Sequence, residues 1–196
     1  MNEIKILIKL TNGDLKSYSG SSEDKFRNWL SSFSTTCKEV IEFEGNLSNG
    51  ASLFKGFTVL EKCLALPSAL KNAEEMFMDC TALTAVCKLP KNLVVCTGMF
   101  RNCISYNQLT IVPSTVQDVR WMFAGCKALS REVVFETHSF NVFRIVGVFN
   151  DCRNLNVAVT IPIAGEVRYL IQVCKGAPGV YDMHHSMYTP DKFWEE

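Results

Sequence analysis

The residues of this chain best suited to chemistry are its sulfurs. Nine cysteines occur in 196 residues, and Cys80, Cys103, Cys126 and Cys152 each close a copy of Met-Phe-x-x-Cys or Val-Phe-x-x-Cys, at intervals of 23, 23 and 26. Thiols placed so regularly could bind a metal, form disulfides, act as nucleophiles or fill space. Zinc needs ligands that converge tetrahedrally at about 2.3 Å for sulfur. Equivalent residues of a stacked repeat instead form a column, with neighbours one layer or roughly 4.7 to 4.9 Å apart. That spacing suits the Cα separation of a disulfide, but the Cβ vectors of a column run side by side rather than towards each other. No C-x-x-C pair occurs. The expectation is therefore reduced thiols packed as small apolar groups. Cys87 and Cys96 lie off the column and Cys37 and Cys63 near its start, so any of these four could be more exposed than the column.

Other reactive groups are sparse. His184-His185 with Cys174 is the one histidine and cysteine cluster, and its Cys-x9-His-His spacing matches no zinc signature. His138 stands alone. The G-x-S-x-G, G-x-x-x-x-G-K-[ST] and H-E-x-x-H motifs are absent, which removes the simplest hydrolase, nucleotide-binding and zinc-protease readings. No catalytic residue, cofactor or metal ligand is assigned. A thiol enzyme remains an alternative, and it needs a cation beside one cysteine to lower its pKa.

The elements that must carry these cysteines are repeats. Leu53-Phe54-x-x-Phe57, Met76-Phe77-x-x-Cys80, Met99-Phe100-x-x-Cys103, Met122-Phe123-x-x-Cys126 and Val148-Phe149-x-x-Cys152 align; Leu60, Leu83, Tyr106, Leu129 and Leu155 each follow three residues later. Apolar-Pro pairs close four units at Leu66-Pro67, Leu89-Pro90, Val112-Pro113 and Ile161-Pro162; the remaining unit has Phe135-Glu136 there and a three-residue insertion. A decayed copy follows at Leu170-Ile171-x-x-Cys174. One such unit cannot bury its apolar face without neighbours, so the pattern predicts a stack. Within a unit, the motif predicts a short helix or 3₁₀ turn. The segment after it, ending in proline, predicts a short strand pairing in parallel with its equivalents.

The run Met-Phe-x-x-Cys-x-x-Leu with a later Leu-Pro pair resembles the BspA-like leucine-rich repeats, whose units carry MF-x-G-C-x-x-L. Met122-Phe123-Ala124-Gly125-Cys126-Lys127-Ala128-Leu129 is the closest copy, and the likeness covers about residues 51–177. The resemblance implies an α/β repeat fold, a right-handed leucine-rich-repeat solenoid of about five to six units, and a role in recognition without shared catalytic residues.

Residues 1–45 read as an N-terminal cap. Ile4, Ile6 and Ile8 alternate with Glu3, Lys5 and Lys9, Asn12-Gly13 offers a two-residue hairpin turn, and Leu15 to Tyr18 return. Ser21-Ser22-Glu23-Asp24 supplies a helix start before Phe26, Trp29, Leu30 and Phe33, and Val40 to Glu44 reads as a strand. Residues 46–177 are then the solenoid, and 178–196 a C-terminal cap or tail in which Phe193 and Trp194 either cover the last unit or anchor a partner.

The 20 basic and 20 acidic residues cancel, so no overall field attracts nucleic acid or anionic lipid. No stretch approaches the ~20 apolar residues of a membrane span, and the first residues lack a signal-peptide pattern. A cytoplasmic location is expected. The role expected is binding of a protein partner, including inhibition of an intracellular enzyme or effector in the manner of phage or mobile-element proteins; a cell-surface adhesin fragment is the alternative. Lys62, Thr84, Lys88, Asn107, Gln108, Arg131 and Asn156 are the expected outward contacts, together with Phe193 and Trp194. An exposed stack end would also allow a homodimer.

Overall fold

The structure is a computed structural model that describes residues 3–136, 140–157, 159–161, 163–164 and 180–182. Strand β1 (Ile4–Leu10) buries Ile4, Ile6, Ile8 and Leu10 on one face, as a period of two demands. It pairs antiparallel with β2 (Leu15–Gly20). The loop between them is one residue longer than the sequence predicts. Leu10 N–H donates to Asp14 O at 2.8 Å and Gly13 N–H to Leu10 O at 3.0 Å, which leaves Thr11, Asn12 and Gly13 between the paired strands. A two-residue type I′ turn needs positive φ at both central residues, and here Gly13 has it (φ 92°) while Asn12 does not.

Helix α1 (Glu23–Ser31) starts at Ser22, whose hydroxyl accepts from Lys25 N–H, with Glu23 and Asp24 in the first turn where the helix dipole favours acids. Phe26 and Leu30 are fully buried. Arg27 ties the helix to the first repeat by donating to the carbonyls of Ala51 and Asn49 at 3.1 and 2.6 Å. Strand β3 (Cys37–Gly45) lies antiparallel to β1 on one side and parallel to β4 (Lys62–Cys63) on the other. At its end Gly45 has φ 108°, and a Cβ there would meet the Glu3 carbonyl oxygen at 2.0 Å, so this crossing of chains admits only glycine.

Strand β5 (Ala85–Val86) extends the sheet to the order β2-β1-β3-β4-β5, with Glu39, Lys62 and Ala85 in register. A second line of parallel bridges joins Asn49, Asn72, Val95 and Asp118. Strands β6 (Thr110–Val112) and β7 (Val133–Phe135) pair in parallel, as do β8 (Phe140–Asn141) with β10 (Ile163–Ala164) and β9 (Val159–Ile161) with β11 (Val180–Asp182). The expected continuous ladder is therefore interrupted between β5 and β6.

No helix forms over the motifs among the described residues, and of the predicted short helix or 3₁₀ turn only i→i+3 bonds at alternate residues are present. A helix sends each N–H to the carbonyl four residues back; here alternate N–H groups leave for the next unit. Ser52, Phe54 and Gly56 donate to the carbonyls of Glu74, Met76 and Met78 at 2.8, 2.9 and 2.8 Å, and the intervening Leu53, Lys55 and Phe57 close four-residue turns on Gly50, Ser52 and Phe54. The same alternation runs through Glu75 to Asp79, Gly98 to Asn102 and Trp121 to Gly125. Two positions per unit take positive φ to allow it: Ser52, Glu75, Gly98, Trp121 and Gly147 before the motif, and Gly56, Asp79, Asn102, Gly125 and Asp151 within it. Each unit is thus a ribbon of turns rather than a helix.

Among the described residues the chain is mixed α/β, mostly strand in its regular elements, with one α-helix and no closed barrel. Its core follows the repeat. Phe54, Phe77, Phe100, Phe123 and Phe149 stack with centroids 5.3, 5.8, 5.5 and 5.5 Å apart and planes within 16° of parallel. Tyr18, Phe26 and Phe43 continue the aromatic line from the N-terminal elements to Phe54. Pairs of this kind add about 0.5–1.5 kcal/mol each beyond the apolar area they bury.

Candidate functional site

The repeated turns place the cysteines before any chemistry is asked of them. Cys80, Cys103, Cys126 and Cys152 are fully buried, and each thiol donates to the carbonyl of a phenylalanine in the preceding unit: Phe54, Phe77, Phe100 and Phe123, at 2.9, 3.0, 3.1 and 2.9 Å. The contact is weak for each sulfur. Its repetition shows that the four thiols occupy one equivalent environment, and none is bridged.

Burial pushes the Cys80 and Cys152 thiols up to about 12, and the Cys103 and Cys126 thiols well above the ordinary range. A thiolate is the nucleophile and the metal ligand, so to take either role each of these sulfurs would have to lose its proton against the cost of burial. Of the four cysteines off the column or near its start, one fits the expectation of greater exposure and three do not. Cys37, Cys63 and Cys96 are fully buried, and Cys87 alone among the described cysteines is half-buried; burial raises all four. Cys37 reaches about 12. Cys37 and Cys63 turn inwards from strands β3 and β4 and Cys96 from the start of a turn, so no single sequence period marks the three together. No group of three or more potential metal ligands is gathered among the described residues. His138, Cys174, His184, His185, Phe193 and Trp194 lie outside the described residues.

The outward positions in and beside the short strands are where chemistry meets solvent. Lys62, Thr84, Lys88, Asn107, Arg131 and Asn156 are exposed. Two of them are already engaged across layers: the Thr84 hydroxyl donates to Glu61 O at 3.0 Å, and Asn107 Oδ1 accepts from Ser130 N–H at 3.0 Å. Lys62, Lys88 and Arg131 take part in none of the ion pairs formed among the described residues, whereas neighbouring Lys38 pairs with Glu61 at 3.4 Å.

Gln108 does something the sequence did not announce. Its side-chain amide takes both hydrogen-bonding positions of Val86, accepting from Val86 N–H at 2.8 Å and donating to Val86 O at 2.8 Å. A side chain thus substitutes for the strand that should pair with β5. The following residue, Leu109, bulges outwards and is 51% exposed. Beside it, Tyr106 stands where other units have leucine, packs on Phe100 with centroids 4.6 Å apart, and hydrogen-bonds Thr110 Oγ1 at 2.8 Å. A buried phenol needs such a partner, and Thr110 is drawn into the core to supply it. The result is a cavity of about 210 Å³ lined by Cys87, Lys88, Leu89, Tyr106, Leu109 and Ile111. The signal was present in the sequence: Tyr106 is the one departure from leucine in that column.

A second polar cluster was also missed. Asp118, with its side chain 6% exposed, accepts from Arg120 Nη2 at 2.8 Å and Arg144 Nη1 at 2.7 Å. Burial alone would raise the Asp118 pKa, but the hydrogen bonds from Arg120 and Arg144 outweigh it and hold the carboxyl below the usual range. Arg144 also borders a shallow depression of about 520 Å³ with Thr115, Gln117 and Asn141. Nearby, Arg101 lies over the Trp121 ring at 5.7 Å. Asp118 and Arg120 were legible as an i, i+2 pair, but Arg144 arrives from the next unit across the insertion.

No helix among the described residues is long and apolar enough to cross a membrane. No family model, curated protein or solved structure matches the chain.

Proposed function

We propose that this chain is a non-enzymatic protein-binding module built as a leucine-rich-repeat solenoid of the BspA-like kind, and that its outward strand row is the surface that binds. The solenoid reading is supported by parallel bridges that recur at the repeat interval and by the phenylalanine stack; the turn ribbon takes the place of the helical segment such a unit would carry.

One observation carries the functional reading. The inward columns hold nearly one residue type each, phenylalanine at one position and cysteine at another, while Lys62, Thr84, Lys88, Asn107, Arg131 and Asn156 face outwards in and beside the short strands. Stacking constrains the first set and leaves the second free to vary, which is how repeat proteins build recognition surfaces. Uncommitted cations in that row add a preference for an acidic partner surface and speed encounter at low salt.

The test is affinity capture with the full chain as bait, comparing wild type with Lys62→Glu/Lys88→Glu/Arg131→Glu. All three positions are exposed, so the variant should melt with the wild type. The reading expects a partner retained by wild type and lost by the variant. Identical captured sets from both baits would remove the outward row from the binding surface.

A further inference from the structure

We propose that the cavity at the broken ladder is an anchor pocket for one apolar side chain on an extended, acidic segment of a protein partner. The proposal rests on the protein-binding reading above and adds the place and the chemistry.

Three observations converge on this pocket. The first is shape: a half-open pocket of about 210 Å³ is lined by Cys87, Leu89, Leu109, Ile111 and the Tyr106 ring, with Gln108 and Thr110 as polar wall. A single apolar group entering it would exchange water for these apolar walls, the setting in which interface anchors gain. The second is the rim, where Leu109 is 51% exposed, an apolar side chain beside the opening that a partner would cover. The third is the pattern of unmet polar groups. Lys88 lines the cavity and Lys62 sits in β4, neither paired with a carboxylate among the described residues, while Glu61 is held by Lys38. The N–H and C=O of Leu109 likewise make no hydrogen bond among the described residues. An extended main chain can use both groups, in the manner of strand addition, and acids on either side of its anchor would meet the two lysines.

Gln108 makes the pocket durable. By saturating Val86 from the side chain, it spares β5 an unpaired backbone edge and keeps β6 from closing the gap. The anchor site therefore exists before a partner arrives.

The experiment selects a display library of random 12-residue peptides against the folded full chain, then measures the recovered peptides by titration calorimetry on wild type, Leu109→Asp and Lys88→Glu. The expected peptides carry one Leu, Ile, Met or Phe flanked by Asp or Glu. Leu109→Asp should weaken them at least tenfold and Lys88→Glu at least threefold, with unchanged melting. Protection of Cys87 from maleimide labelling by bound peptide in the wild-type chain gives a readout that needs no variant. Recovery of no peptide, of basic peptides, or of peptides that bind Leu109→Asp as tightly and leave Cys87 unprotected overturns the pocket. Peptides lost on Lys62→Glu/Arg131→Glu but indifferent to Leu109→Asp would overturn it while leaving the outward row as the recognition surface.

Discussion

At the scale of single residues, the sulfurs act on stability rather than reactivity. Seven described cysteines are buried, and burial raises each thiol above its ordinary value. A group whose folded pKa is raised contributes stability in full below its unfolded pKa and loses it as pH rises towards the folded one. Stability should therefore hold to about pH 8.5, where unfolded thiols ionise, and fall steadily above it; urea midpoints at pH 7 and pH 10 check this. Alkylation of native chain should reach Cys87 first among the described cysteines, since it alone is half-buried. Asp118 runs the opposite way. Its pKa is lowered, so its contribution is present at neutral pH and lost as pH falls through its folded value. Both arginines are substantially exposed, so solvent screens the pairs, and Asp118→Asn should cost about 1 kcal/mol at pH 7. The difference from wild type should fade below about pH 4.

At the scale of elements, the turn ribbon and the side-chain clamp are the two departures from a plain repeat. Gln108→Ala would strand the N–H and C=O of Val86, which is 3% exposed. An unsatisfied buried backbone group costs about 1–3 kcal/mol. Chemical denaturation should register a loss of that size, and Gln108→Glu, which keeps an acceptor but no donor, should recover part of it. The strands, the helix start at Ser22 and the phenylalanine column were readable because each follows from periodicity or capping chemistry within a few residues. The ribbon was not. Apolar spacing at positions 0, 1, 4 and 7 suits a helix and a chain of turns equally, and the choice is made by backbone bonds to another unit, which no local window contains. Asp79 and Asn102 at positive φ were the available hint, because those residue types tolerate that conformation beside glycine. The hairpin loop was misjudged by one residue for a related reason: Asn-Gly supports two loop lengths, and the strand register decides between them.

At the scale of the whole molecule, the N-terminal elements and the repeats form one continuous core, joined through Phe26, Phe43 and Phe54 and through Arg27 to the first unit. The sheet edge that β3 would otherwise expose is covered on both sides, by β1 and β4, which removes a template for aggregation. Where the outward face would act was only partly readable. The row containing Lys62 and Arg131 follows from repeat alignment, while the cavity beside Leu109 depends on Tyr106 being larger than the leucine it replaces, a volume effect that composition does not report.

The alternation of N–H groups between their own turn and the next carries a consequence for length. Because the turn ribbon is sewn by the same stitches from Ser52 through Gly125, a whole period within it can be excised and the cut turns will find matching partners. Removing residues 71–93 joins Leu70 to Val94 and brings Asn49 opposite Val95, the residue that pairs with Asn72 in the intact chain. Such a shortened chain should fold with one fewer ring in its aromatic column, detectable as a cooperative thermal transition at lower temperature, whereas excising half a period should leave no folded species. Growth and shrinkage by whole layers is thus open to this architecture without redesign of what remains.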